Sequence, residues 1–115
     1  MKAALFAFNG EAMCFVHVLL NALDLQAKGH EACIVIEGSA TRLVREFHEN
    51  PQAPFAPMYR KAKEAGLIGG ICKACAAKME SLDAAKAEGL TLLDDMSGHP
   101  SMSAYLEQGW QVYTF

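Results

Sequence analysis

A repeated unit of helix, glycine and strand runs through the whole chain. Glycine suits the residue after a helix, because it adopts a left-handed backbone conformation at no steric cost. Four glycines stand between a helical stretch and a short apolar run, at positions 29, 66, 89 and 109. The apolar runs cover 32–37, 67–72, 90–93 and 110–115, and a fifth run at 2–8 opens the chain. The sequence therefore predicts five strands.

A helix between each pair of consecutive strands restricts how the strands pair. Such crossovers connect parallel strands and place helices over the faces of the sheet. We therefore expect a three-layer α/β/α sandwich with a five-stranded, mainly parallel sheet, formed as a single domain over 1–115. The order of the strands does not follow from these runs. The helices are expected at 12–28, 39–48, 57–65, 73–80, 82–88 and 101–108.

Charge and hydropathy narrow the range of partners. The chain has 13 acidic and 10 basic residues, and no run of Lys or Arg that neutralises a phosphate backbone, so no nucleic-acid partner is expected. The apolar stretch 3–8 is too short for a signal-peptide core, and 12–25 falls short of the roughly 20 residues that span a bilayer. We expect a cytoplasmic protein with no membrane partner. In that compartment its four cysteines should be free, reactive or metal-bound rather than disulfide-bonded.

The first predicted helix is apolar almost all round. Its polar residues form one narrow stripe, made of Cys14, His17, Asn21, Asp24 and Lys28. The other sides carry more apolar surface than one sheet face covers, which predicts a homo-oligomer. The alternative is a helix buried between the sheet and neighbouring helices.

The candidate site lies at the carboxyl ends of the strands, where ligands bind in open parallel sheets. Four segments of the chain fall there, at 9–10, 37–39, 72–75 and 94–99. The first two are also typical turns, and a glutamate in the second would repel an anion. We predict Cys72 and Cys75 as the reactive residues. The predicted substrate-binding residues are Asn9, Gly10, Glu37, Lys73 and His99.

Cys72 stands where the third strand ends and a helix begins. Free N–H groups and the helix dipole favour a thiolate there, and Lys73 and Lys78 add positive charge. A thiolate in this position can take up sulfane sulfur as a persulfide. Cys75, one helical turn later, is placed to resolve a persulfide or a mixed disulfide. The alternative is that both cysteines pack as small hydrophobic residues.

No metal or other cofactor is expected from the sequence. Most structural zinc sites have four ligands, and the Cys-x-x-Cys motif at 72–75 has no second pair. His99 or His17 would have to supplement it, and the spacing supports neither. A glycine-rich nucleotide fingerprint is also missing, since Gly69 and Gly70 lie inside a predicted strand.

Three segments resemble a known family. The strand Leu-Ile-Gly-Gly-Ile at 67–71, the Cys-Lys-Ala-Cys motif that follows, and Gly-Trp-Gln-Val-Tyr-Thr-Phe at 109–115 are similar to the DsrE/DsrF-like family. The resemblance extends over nearly the full length. It implies a small α/β domain that assembles into oligomers, in a family where several members carry sulfur in sulfur oxidation or tRNA thiolation. It also implies Cys72 as the sulfur-bearing residue, with Cys75 as part of the same site.

Two functions of different classes are consistent with these observations. The first is a sulfur carrier or sulfurtransferase-like protein that accepts sulfane sulfur as a persulfide on Cys72, with Cys75 as resolving thiol. Its partners would be sulfur donor and acceptor proteins. The second is a non-catalytic oligomeric protein of the same fold that binds a small ligand or thiol. Uptake of sulfane sulfur by Cys72 discriminates between them.

Overall fold

Five parallel strands form a single sheet. A computed structural model describes residues 1–115. The strands are β1 (Lys2–Ala7), β2 (Glu31–Ile36), β3 (Ile68–Cys72), β4 (Leu92–Leu93) and β5 (Gln111–Thr114). Their order is β4-β3-β2-β1-β5, and every pair of neighbours is parallel. The predicted α/β fold is confirmed, and the sheet is wholly rather than mainly parallel.

Six α-helices connect the strands, close to the predicted positions. They are α1 (Ala12–Ala27), α2 (Thr41–Glu49), α3 (Ala56–Glu64), α4 (Lys73–Lys78), α5 (Leu82–Ala87) and α6 (Met102–Glu107). A short 3-10 turn, Gly38–Ala40, precedes α2. The four glycines that follow helices have φ values between 73° and 87°. The left-handed conformation that the repeated unit predicts is therefore present at all four.

The two faces of the sheet are covered unequally. One face carries a core of 21 buried residues, drawn from the strands and from α1 to α5. The other face has a core of three residues, Ala4, Phe6 and Val35, packed against side chains of α6, β4 and β5. There the Tyr105 ring meets Phe6 edge-on, with 5.4 Å between ring centroids. The helix on this face, α6, has six residues.

The longest helix, α1, buries one side and exposes its polar stripe. Its buried residues are Phe15, Val18, Leu19 and Ala22. Two large apolar side chains stay exposed, Met13 at 71% and Leu20 at 44%. The predicted homo-oligomer stays a prediction. No helix of the protein combines the length and apolar character that a membrane crossing requires.

Candidate functional site

The strand register brings Glu37 next to Cys72. Ile36 at the end of β2 lies opposite Ile71 of β3, so the residues that follow them are neighbours at the carboxyl edge. On the other side of β3, Leu93 of β4 lies opposite Cys72. Loops that leave three adjacent strands therefore converge on one thiol, as the rule for open parallel sheets predicts.

A tight turn after β4 holds His99 over this edge. The backbone N–H and carbonyl groups of Met96 and His99 bond to each other, at 2.7 and 3.0 Å. The two residues between them, Ser97 and Gly98, have φ values of 51° and 91°. Positive φ at both central residues is typical of a type I′ turn. The Gly98 carbonyl accepts a hydrogen bond of 2.9 Å from the Ala74 N–H, so the turn is attached to the start of α4.

Four side chains meet at this edge, and we name them the thiol cluster: Glu37, Cys72, Cys75 and His99. Their sulfur, nitrogen and oxygen ligand atoms all lie within 4.8 Å of one another. The Nδ1 atom of His99 is 3.1 Å from the Cys72 Sγ and 3.6 Å from the Cys75 Sγ. The Cys75 backbone N–H also donates to the Cys72 Sγ, at 3.4 Å.

Burial separates the members of the thiol cluster into two pairs. Cys72 is 0% exposed and Glu37 is 6% exposed, whereas Cys75 and His99 are half-buried. Burial raises the pKa of the Cys72 thiol to about 12, and the nearby Cys75 and Glu37 add to the increase. Burial also raises the pKa of Glu37, which His99 and Cys72 only partly oppose.

The prediction that the start of α4 favours a Cys72 thiolate is therefore wrong, because the pKa of this thiol is raised rather than lowered. The expected N–H donor is present at Cys75, but desolvation outweighs it. The predicted positive charge is also engaged elsewhere, because the Lys73 Nζ lies 3.7 Å from Asp94 and both side chains are about half exposed. Lys78 is exposed to solvent.

Asn9 and Gly10 shape the loop between β1 and α1. The Asn9 Oδ1 accepts a bond of 2.9 Å from the Glu11 N–H. The Gly10 N–H donates to the Ser39 Oγ at 2.9 Å, and its carbonyl accepts from Arg42 at 2.6 Å. A Cβ at position 10 would stand 2.7 Å from the Ser39 carbonyl oxygen, which explains the glycine. Contact of Asn9, Gly10 and Lys73 with a substrate stays a prediction.

A cleft of about 350 Å³ opens beside the thiol cluster, and we name it the loop cleft. Glu37 and His99 belong to both the cluster and the cleft wall. The remaining wall residues are Phe8, Met96, Pro100, Ser101, Met102 and Ser103. Sequence reasoning did not identify the apolar wall, although Phe8 ends the first predicted apolar run and Met96 lies in the loop after β4.

The thiol cluster can support two kinds of chemistry. An imidazole beside two thiols can accept a thiol proton and generate a nucleophile. Two thiols, an imidazole and a carboxylate are also ligands for a metal ion. The expectation of no metal relied on the cysteine pair lacking further ligands, and that premise is wrong, because Glu37 and His99 stand beside the pair.

Comparisons with known proteins find two archaeal relatives. The uncharacterized protein MJ0733 of Methanocaldococcus jannaschii is 30% identical over 97 residues, which cover 84% of this chain and 76% of the relative. An uncharacterized protein of Archaeoglobus fulgidus is 40% identical over 48 residues, or 42% of this chain and 79% of the relative. No family model and no solved structure matches the chain. The resemblance to the DsrE/DsrF-like family stays a prediction.

Proposed function

The chain belongs to the family of protein MJ0733 of Methanocaldococcus jannaschii, and we propose that it is a sulfur carrier whose Cys72 accepts sulfane sulfur as a persulfide. The observation that carries the proposal is the 3.1 Å approach of the His99 Nδ1 to the Cys72 Sγ. A buried thiol needs a base to become a nucleophile, and an imidazole in hydrogen-bond reach is the usual one.

In the loading step, sulfur is transferred to Cys72 from a low-molecular-weight persulfide, R–S–SH. His99 takes the proton of the Cys72 thiol, and the thiolate attacks the outer sulfur of the donor. The new bond joins the Cys72 Sγ to that sulfur, while the bond between the two donor sulfurs breaks. The leaving thiolate R–S⁻ takes a proton from His99 and departs as R–SH. The products are Cys72–S–SH and a free thiol, with no net oxidation.

Release proceeds along either of two routes. An acceptor thiolate can attack the outer sulfur, which transfers it and returns Cys72 to a thiol. Alternatively, the Cys75 thiolate attacks the Cys72 Sγ, which forms a disulfide between the two residues and expels hydrosulfide. The second route is supported by position, because both sulfurs lie within 3.6 Å of the same His99 nitrogen.

Burial of Cys72 gives the carrier two properties. A persulfide on a sulfur with 0% exposed surface would be shielded from bulk solvent and from unspecific thiols. The loop cleft is the proposed route of access to Cys72, because two neighbours of Cys72, Glu37 and His99, line its wall. A cleft of about 350 Å³ favours a small donor for the loading step.

The experiment is sulfur loading of reduced, metal-free protein, followed by intact mass and by mapping of the modified peptide. Glutathione persulfide serves as donor. Wild type should gain one sulfur atom on Cys72, and Cys72→Ser should gain none at this site. Cys75→Ser should load but release no hydrosulfide by itself. His99→Gln should load about 100-fold more slowly.

Cys14→Ser is the matched control, because Cys14 is exposed on α1 outside the thiol cluster. It should load as wild type does. Loading of Cys72→Ser at the wild-type rate and extent would overturn the assignment of Cys72. If neither wild type nor Cys75→Ser gains sulfur, and wild type forms no disulfide between Cys72 and Cys75, sulfur carriage is wrong, and a non-catalytic protein that binds a small ligand or thiol becomes the better description.

A further inference from the structure

We infer that the thiol cluster is a tetrahedral binding site for a zinc-type divalent metal ion, with Glu37, Cys72, Cys75 and His99 as ligands. This inference goes beyond sulfur carriage, because it requires no sulfur donor and gives Glu37 a role. It rests on the spacing of the ligand atoms, on their chemical types and on the backbone that supports them.

The spacing matches the edges of a zinc tetrahedron. Zinc bonds of about 2.3 Å to sulfur and 2.0 Å to nitrogen or oxygen produce edges of about 3.3 to 3.8 Å, and the edge between sulfur and nitrogen is about 3.5 Å. The distances from the His99 Nδ1 to the two cysteine sulfurs are 3.1 and 3.6 Å, so one is close to this edge and the other is shorter by about 0.4 Å. All four ligand atoms lie within 4.8 Å of one another, so small side-chain adjustments close the site around an ion.

The ligand types select the metal. Thiolates and imidazole favour zinc, whereas Mg²⁺ and Ca²⁺ prefer sites made entirely of oxygen. The two most buried members of the cluster, Cys72 and Glu37, are both acidic. No ion pair of the structure involves Glu37. A bound cation therefore supplies the positive charge that these two groups lack when ionised.

Hydrogen bonds around the cluster hold its ligands in place. The buried Thr41 Oγ1 lies 2.8 Å from the Gly38 carbonyl and 3.2 Å from the Cys75 carbonyl. The same hydroxyl thus links the residue after Glu37 to the helix that carries Cys75. The Ser81 Oγ in turn donates to the Thr41 carbonyl at 2.6 Å. These bonds fix the backbone of the segments that carry Glu37 and Cys75, so the two ligands are positioned before an ion arrives.

Metal binding and sulfur carriage use the same two thiols. An ion bound by Cys72 and Cys75 leaves neither sulfur free to attack a donor, and a persulfide on Cys72 removes a ligand. The two states therefore exclude each other. Bound zinc must weaken sulfur loading, and sulfur on Cys72 must weaken zinc binding. Zinc would keep the thiols protected until a donor and a zinc acceptor are both present.

The test is a competitive titration of reduced, metal-free protein with Zn²⁺ against a chromophoric chelator. Wild type should bind one ion per chain. Cys72→Ser, Cys75→Ser and His99→Gln should each lose more than about 100-fold in affinity, and Glu37→Gln about 10- to 100-fold. Co²⁺ in place of Zn²⁺ should show sulfur-to-metal charge transfer and the intense visible bands of a tetrahedral site. Both spectral features should weaken in the cysteine variants.

Two variants outside the cluster are the controls, Cys14→Ser and His48→Gln, and both should bind Zn²⁺ as wild type does. Circular dichroism of each metal-free variant checks that it is folded. Zinc binding that is equal in wild type and Cys72→Ser would overturn the site, and so would the absence of binding. The sulfur-loading experiment with chelator present is independent. Loading without zinc binding contradicts only the metal site, and zinc binding without loading contradicts only sulfur carriage.

Discussion

Two clusters in this protein each contain a glutamate and a histidine, and they differ in whether the glutamate carboxylate has an ion-pair partner. We name the first the Glu88 cluster. The Glu88 carboxylate lies 2.6 Å from the His48 Nδ1 and 3.0 Å from the Lys63 Nζ. It also accepts a hydrogen bond of 3.3 Å from the Tyr59 hydroxyl. In the thiol cluster, Glu37 has no cationic side chain paired with it. Glu88 stands just before β4, while Glu37 stands just after β2, so the clusters lie towards opposite ends of the strands.

The pKa values of the two carboxyls move in opposite directions. Although burial alone would raise it, the hydrogen bonds and charges of His48 and Lys63 hold the pKa of Glu88 below its ordinary value. For Glu37, burial dominates and raises the pKa. Glu88 is therefore the centre of a structural network in which its carboxylate has three hydrogen-bonding partners. Glu37, which we propose as a metal ligand, has no ion-pair partner among the side chains of the protein.

The largest effect on stability is expected for Glu88→Gln. The change removes a carboxylate that accepts two charge-assisted hydrogen bonds, so the free energy of unfolding at neutral pH should fall by about 2 kcal/mol. Urea denaturation followed by circular dichroism measures it. Glu107→Gln is the control, because Glu107 is exposed on α6, and it should change stability by less than about 0.5 kcal/mol. A Glu88→Gln protein as stable as this control would contradict the network.

The next expected effect is a pH dependence of the same difference. The folded-state pKa of Glu88 lies below the ordinary glutamate value of 4.5, so its stabilisation is present above that pH and is lost as the pH falls through the folded-state pKa. The difference in the free energy of unfolding between wild type and Glu88→Gln should be about 2 kcal/mol near pH 6 to 7. It should shrink below pH 4.5. Urea midpoints across this range measure it. A difference that grows on acidification would contradict the assignment.

The smallest effect is expected for Glu37→Gln in metal-free protein. The folded-state pKa of Glu37 lies above the ordinary glutamate value of 4.5, so stability falls as the pH rises from 4.5 through the folded-state pKa and the buried carboxyl becomes charged. Its removal should leave the free energy of unfolding at neutral pH unchanged, or raise it by up to about 1 kcal/mol. The same urea measurement applies. A loss greater than about 1 kcal/mol would show that Glu37 supports the fold as Glu88 does.

Much of the fold could be predicted because its signals are local. Apolar runs, helical stretches and the glycines between them report on short segments, and all five strands and six helices occur where they indicate. The position of Cys72 and Cys75 at the end of β3 follows from the same pattern. His99 was identified by topology alone, since the loop after a parallel strand must open at the carboxyl edge.

All four residues of the thiol cluster were among the predicted site residues, but the sequence could not predict that they meet, because their contacts depend on strand order. Glu37 became a neighbour of Cys72 only because β2 pairs with β3 in the register that aligns Ile36 with Ile71. In a different strand order the same sequence segment would be a turn and no more. The second glutamate network was missed for the same reason, since His48 and Glu88 are 40 residues apart.

The sequence by itself determined the elements of this protein and the presence of a cysteine pair at a strand end, because both depend on contacts between nearby residues. The tertiary structure decided how buried Cys72 is, which groups surround it and therefore in which direction its pKa moves. These properties depend on desolvation and on the neighbouring Cys75 and Glu37, which lie on α4 and directly after β2. Packing of distant segments, which no local pattern encodes, converts a two-cysteine motif into a four-residue cluster.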